Sequence, residues 1–132
     1  MHTIKRTIRF YDSDPAGVLF FGNLFRYLHA AYEDFLIKNN LKKYFTSEKI
    51  LLPVIHSEAD FHKPLKPFDT VTINVRVSGV KESSYEINYE VYNNREELAA
   101  KGRTVHVVVD ADFKKIKIPD DLRRLLELHL IQ

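Results

Sequence analysis

No cysteine occurs anywhere in the 132 residues. Disulfides, a thiolate nucleophile and zinc–thiolate sites are thereby excluded. Glycine is almost as scarce, with four residues, at positions 17, 22, 79 and 102. No combination of those positions spells a phosphate-cradling loop, a G-x-S-x-G elbow or a dinucleotide fingerprint. A kinase, a serine hydrolase or a dehydrogenase is therefore not indicated. An excess of one charge is lacking too. Twenty basic and eighteen acidic residues leave +2, too even to argue for a nucleic-acid partner. No apolar run approaches the length of a membrane span, and the start, MHTIKRTIRF, lacks the apolar centre of a signal peptide. A soluble cytoplasmic protein is the expectation. The six histidines show neither H-x-x-x-H nor H-E-x-x-H spacing, so no metal site is expected.

What the chain has in quantity is apolar and aromatic surface. Apolar residues make up 45%, including nine Phe and seven Tyr, which is enough for a core. The length suits a single domain over 1–132. A domain near this size buries only about two-thirds of its unfolded surface, so oligomerisation would help, with a site at the subunit interface.

Periodicity gives the elements. Residues 3–11 read as a strand with Ile4, Ile8 and Phe10 on one face. Residues 23–38 read as a helix, with Leu24, Leu28, Ala31 and Phe35 at helical spacing and Phe25, Tyr32 and Leu36 widening the apolar sector. Asn39-Asn40 supplies its stop. Residues 53–63 form a weaker strand, with Ile55, Ala59 and Phe61 in phase. Three clean alternations follow: Val71, Ile73, Val75, Val77; then Tyr85, Ile87, Tyr89, Val91; then Val105, Val107, Val109. Each set is expected to face the core, which puts Thr104 and His106 on the wet face. Pro119-Asp120-Asp121 opens a short last helix. The order strand, long helix, four strands, short helix predicts an α+β fold. Its long helix fills the apolar face of a five-stranded antiparallel sheet.

The stretch from Arg9 to Glu33, RFYDSDPAGVLFFGNLFRYLHAAYE, carries the candidate chemistry. Two carboxylates, Asp12 and Asp14, precede a break at Pro15-Ala16-Gly17 and an apolar patch from Val18 to Phe21. The long helix begins after Gly22-Asn23, with Asn23 as a candidate N-cap. A carboxylate in an apolar bend beside the free N–H groups of a helix N-terminus is a workable arrangement for acyl transfer. Asp14 is equally a residue type that turns use. On an extended strand Asp12 would share its side, at about 7 Å. Adjacent strand carboxylates more often bind backbone groups or an arginine than form a catalytic pair. His29 and Glu33, one turn apart, read as a surface i,i+4 pair, with the lining of an acyl pocket as the alternative.

Asp12-Ser13-Asp14-Pro15-Ala16-Gly17, Phe20-Phe21-Gly22-Asn23 and Tyr27, in this order of elements, resemble the hotdog-fold acyl-CoA thioesterases of the 4-hydroxybenzoyl-CoA thioesterase family. Pro64-Leu65 followed by Asp69 is similar to a family turn in which Phe68 replaces the usual Gly. His29 to Glu33 and Arg103 to His106 look most like the branch that hydrolyses 1,4-dihydroxy-2-naphthoyl-CoA. The resemblance implies hydrolysis of an acyl-CoA, with Asp14 as nucleophile or general base and the backbone N–H groups of Phe21 and Gly22 polarising the thioester. It implies substrate contacts at Gly17, Phe20, Asn23 and Tyr27, and coenzyme contacts at Lys81, Ser83 and Ser84. Glu82 and Ser83 stand where relatives carry positive charge. Phe21 stands where many short-chain relatives carry histidine, which leans towards an aromatic acyl group. No cofactor is implied beyond the coenzyme A of the substrate, and the assembly implied is a homodimer or homotetramer with shared sites. The rivals are a non-catalytic acyl-CoA or acyl-carrier binding module, a short-chain aliphatic thioesterase, and a hydratase. The last would pair a histidine with the carboxylate, and none lies near Asp14 in the sequence.

Overall fold

Seven strands and two α-helices are present in the computed structural model, which describes residues 1–131. In chain order they are β1 (His2–Thr7), α1 (Leu24–Lys38), β2 (Ile50–Leu51), β3 (Val54–Phe61), β4 (Thr70–Val80), β5 (Ser84–Tyr92), β6 (Leu98–Val107), β7 (Val109–Asp110) and α2 (Asp120–Leu128). Five of the strands form one antiparallel sheet in the order β1-β4-β5-β6-β3. The remaining two, β2 and β7, make a short separate ladder that the periodicity did not reveal.

α1 lies on the inner face of the sheet. Leu24, Leu28, Ala31, Phe35 and Leu36 pack against Val71, Ile73, Val75, Val77, Ile87 and Val91 in a single core cluster. Alternation places these side chains, because every second residue of β4 and β5 must face the helix. Gly102 of β6 lets α1 come close, since a Cβ there would run into Leu28. The outer face is polar. Arg103 spans three strands, 2.5 Å from Glu58 of β3 and 3.0 Å from Glu86 of β5. A helix cradled by a five-stranded antiparallel sheet, with a short C-terminal helix beside it, is the hotdog fold. No helix of the described residues is long and apolar enough to cross a membrane.

Three expectations are corrected. The first strand stops at Thr7, and Phe10–Asp12 is a 3-10 turn with Phe10 and Tyr11 exposed. The chain bends there because Asp12 is drawn inward by polar partners. β3 starts with a register shift between Val54 and His56, which turns Ile55 outward. β6 is in the opposite phase to that expected. Thr104 and His106 are buried on the inner face, where they bond to one another and to Tyr89. The Thr104 bonds to Tyr89 and to His106 Nε2 offset part of the cost of that burial, while His106 Nδ1 is left without a partner among the described residues. Val107 and Val109 are buried as well, outside the core cluster that packs on α1.

Candidate active site

The segment from Asp12 to Asn23 joins the end of β1 to α1 and is tied down at both ends. Asp12, 3% exposed, is the anchor. Its Oδ1 accepts from the Arg26 guanidinium at 2.7 Å and its Oδ2 from the Tyr27 hydroxyl at 2.7 Å. Its carbonyl accepts from the Phe20 amide at 2.9 Å and from Asn23 Nδ2 at 3.1 Å. The Tyr27 oxygen in turn accepts from the Arg9 amide at 3.0 Å. Burial, with the Asp12 carboxylate beside it, raises the Tyr27 pKa. Of the two readings open to Asp12, the structure shows a carboxylate paired with an arginine and a tyrosine hydroxyl, not half of an exposed pair.

Asp14 turns the other way. It opens a tight turn in which its carbonyl accepts from the Gly17 amide at 3.0 Å and its amide donates to Val18 at 2.8 Å. Gly17 sits at φ 81°, a conformation that costs a residue with a Cβ but not glycine. Asp14 Oδ1 accepts from the Ala16 amide at 2.8 Å. The side chain therefore does the work of a turn residue, and it also borders a hollow of about 380 Å3. Val18, Leu19 and Phe21 complete one wall of that hollow, and Phe61, His62, Lys63 and Pro64 form the other.

Phe21 to Asn23 is a 3-10 turn that runs directly into α1. Its first N–H groups precede the helical ladder, so the amides of Phe21 and Gly22 have no acceptor among the described residues. Phe21 lines the Asp14 hollow; Gly22 does not. The Phe20 ring packs 4.6 Å from that of Phe21, and a Cβ at Gly22 would come within 3.0 Å of it. An oxyanion bound here would meet unpaired backbone donors and the positive end of a four-turn helix.

The remaining expected contacts fall elsewhere. Asn23 occupies the N-cap position without capping, because its amide is spent on Asp12. Tyr27 stands behind the loop and does not line the Asp14 hollow. Lys81, Ser83 and Ser84 form the β4–β5 turn, closed by a 2.8 Å bond from the Lys81 amide to the Ser84 carbonyl. Val91 of β5 pairs with Ala100, which pairs with Phe61. The hollow is thus at one end of the sheet and the turn at the other, roughly 25 Å apart at strand rise. Within one chain they do not meet.

His62 and Lys63 were not anticipated at the site. The only signal was their position just before Pro64-Leu65, which ends β3. Their arrival beside Asp14 depends on β3 being the edge strand next to β6.

The sequence and fold have relatives. A family model described as the thioesterase-like superfamily matches residues 8–126. A 1,4-dihydroxy-2-naphthoyl-CoA hydrolase of Crocosphaera subtropica is 38% identical over 117 residues, covering 86% of this chain and 85% of that one. The corresponding hydrolase of Nostoc punctiforme is 37% identical, covering 95% and 86%. The crystal structure of a 1,4-dihydroxy-2-naphthoyl-CoA thioesterase from Synechocystis superposes with a TM-score of 0.89 at 25% identity, covering 95% of this chain and 94% of that one.

Proposed function

Because the chain belongs to the thioesterase-like superfamily, we propose that it hydrolyses an aromatic acyl-CoA to the free acid and coenzyme A, with Asp14 as the catalytic carboxylate. The observation that carries this reading is the hollow that Asp14 and Phe21 both line, which brings a carboxylate residue and the residue that opens the turn before α1 to one cavity. The thioester oxygen takes the Phe21 N–H, which stabilises the negative charge that develops on it. Asp14 then acts in one of two ways. As general base it removes a proton from the water that attacks the carbonyl carbon. As nucleophile it forms a mixed anhydride that water later opens. In both, the C–S bond breaks and the thiolate leaves with the coenzyme, which is part of the substrate.

The aromatic preference rests on the naphthoyl-CoA relatives and on Phe21, which lines the hollow with the Phe20 ring packed on it. A cytoplasmic location is part of the same proposal. The working unit is at least a dimer. β3 is an edge strand with Val54, Ile55 and Phe61 exposed, and such an edge calls for a partner. Antiparallel pairing of two copies along β3 would carry the Lys81–Ser84 turn of one towards Asp14 of the other.

The test is a panel of acetyl-, butyryl-, palmitoyl-, benzoyl- and naphthoyl-CoA, followed by thiol release. Aryl thioesters should give the highest kcat/KM. Fastest turnover of acetyl- or butyryl-CoA would remove the aromatic reading, and no turnover of any would leave the binding-module rival. His62 in the hollow is the residue type a hydratase would use. Hydration of an enoyl-CoA faster than hydrolysis would select that alternative.

A further inference from the structure

The edge of the sheet opposite β3 ends in a surface patch that hydrolysis does not use. β1 is that edge strand, so pairing of two copies along β3 leaves it uncovered. Two loops meet at its end. The turn after β1 carries Phe10 and Tyr11, 72% and 73% exposed, and the Lys66–Asp69 turn before β4 carries Phe68, 76% exposed. The Phe68 amide donates to the Ile8 carbonyl at 2.7 Å, and the Ile8 amide to the Asp69 carbonyl at 2.8 Å. The loops are therefore fixed side by side. None of the three rings belongs to the core cluster. Phe68 is held in the left-handed region at φ 72°, a backbone cost that its exposed ring does not recover by packing. Exposed apolar groups gathered in one place mark an interaction surface.

The same end is cationic. The first eleven residues, MHTIKRTIRFY, hold Lys5, Arg6 and Arg9 and no acidic residue. Together with Tyr11 and Arg26 these three line a hollow of about 410 Å3. Lys66 stands in the Phe68 turn. Lys5, Arg6, Arg9 and Lys66 have no carboxylate within salt-bridge distance among the described residues. The acids nearby are engaged elsewhere. Asp12 is buried on Arg26 and Tyr27, and the Asp69 carboxylate accepts from the Lys66 amide at 3.3 Å. Cations on an edge strand guard against stray pairing, which accounts for Lys5 and Arg6 but not for three exposed rings beyond the end of the strand. Aromatic rings set among Lys and Arg side chains match the boundary between water and a bilayer. The rings settle at headgroup depth, and the cations meet lipid phosphates. A folded partner would need a hollow shaped to each projecting ring, whereas a lipid surface yields to them.

We propose that this end of the protein docks on an anionic phospholipid surface, with Phe10, Tyr11 and Phe68 in the headgroup layer and Lys5, Arg6, Arg9 and Lys66 against the lipid phosphates. The association is peripheral and reversible, held by a few rings and charges. No helix of the described residues is long and apolar enough to cross the bilayer. The inference goes beyond the hydrolysis reading and does not depend on it.

The experiment is co-sedimentation of the whole protein with vesicles of mixed phosphatidylglycerol and phosphatidylcholine, against vesicles of phosphatidylcholine alone. Partition onto the anionic vesicles should be at least about tenfold stronger and should fall as salt is raised. Phe10→Ser combined with Phe68→Gly should lower it by about tenfold, and so should Lys5→Gln combined with Arg9→Gln. Leu128→Ser, at an exposed apolar position on α2, should leave it unchanged. Phe68→Gly by itself relieves a strained backbone, so weaker partition in that variant is not a loss of fold. Equal partition onto the two kinds of vesicle, or none onto either, overturns the proposal. Partition unmoved by both the aromatic and the cationic variants overturns it also. A smaller particle by light scattering in Phe10→Ser with Phe68→Gly, at unchanged partition, would assign the rings to contact with a second copy and overturn it as well.

Discussion

The Tyr27 hydroxyl donates to Asp12 Oδ2 at 2.7 Å, so the first turns of α1 hold the carboxylate at the end of the β1 loop. Asp12 and Asp14, two residues apart, consequently have different tasks. One is buried and braces the loop; the other borders the hollow.

Asp14→Asn should lower kcat by well over tenfold, more than about 1.4 kcal/mol in the barrier, with the fold retained. Asp12→Asn and Tyr27→Phe should instead lower stability, each by about 1–3 kcal/mol, the range for breaking a buried bond to a charged group. Thermal unfolding and steady-state kinetics on the three variants separate the two effects. Equal loss of kcat in Asp12→Asn and Asp14→Asn would point to a paired-carboxylate mechanism.

Acid should destabilise the protein through His106. Its pKa falls from 6.5 to about 4 on burial. The unfolded chain therefore binds the proton first, and the contribution is complete above pH 6.5 and lost as pH falls through about 4. The amount is about 3 kcal/mol at most. Burial lowers the pKa of His129 as well, adding a loss of the same sign. Urea midpoints measured from pH 7 to pH 4 should fall steadily, and one imidazole should titrate near 4 by NMR. A flat stability profile across that range would contradict the burial of a neutral His106.

Phe68 occupies the left-handed region at φ 72° and is 76% exposed. That conformation costs about 1–2 kcal/mol in a residue with a Cβ, against about 0.5–1 kcal/mol of extra chain entropy for glycine. Phe68→Gly should therefore raise stability by about 0.5–1 kcal/mol. A lower midpoint in chemical denaturation would show that the exposed ring contributes more than its backbone costs.

Light scattering at micromolar concentration should return a multiple of 15.5 kDa, the mass of one chain. Ile55→Asp, on the exposed outer edge of β3, should shift the population to monomer. Activity should fall with it, since Lys81, Ser83 and Ser84 lie at the far end of the sheet from Asp14 in the same chain. A fully active monomer would remove the shared site.

Much of this protein was determined locally, and so was legible in its sequence. The alternation in residues 71–77 and 85–91 has only one amphipathic solution, a strand with one covered face, and the wide apolar sector of residues 24–36 supplies the helix to cover it. Asp14, Gly17 and Phe21 could be placed at a turn before a helix because turn and breaker chemistry act over a few residues. What tertiary structure decided is where polar groups find partners across the chain. Asp12 left the expected strand because Arg26 and Tyr27, fourteen and fifteen residues on, draw it inward. Thr104 and His106 reversed the phase of β6 because Tyr89 and the rings of Tyr32 and Tyr85 make burial tolerable for them. His62 reached Asp14 only because β3 lies next to β6 at the edge of the sheet. A hydrophobic pattern counts apolar residues along one segment, whereas hydrogen-bond satisfaction depends on groups far apart in sequence, and only the folded chain brings them within 3 Å.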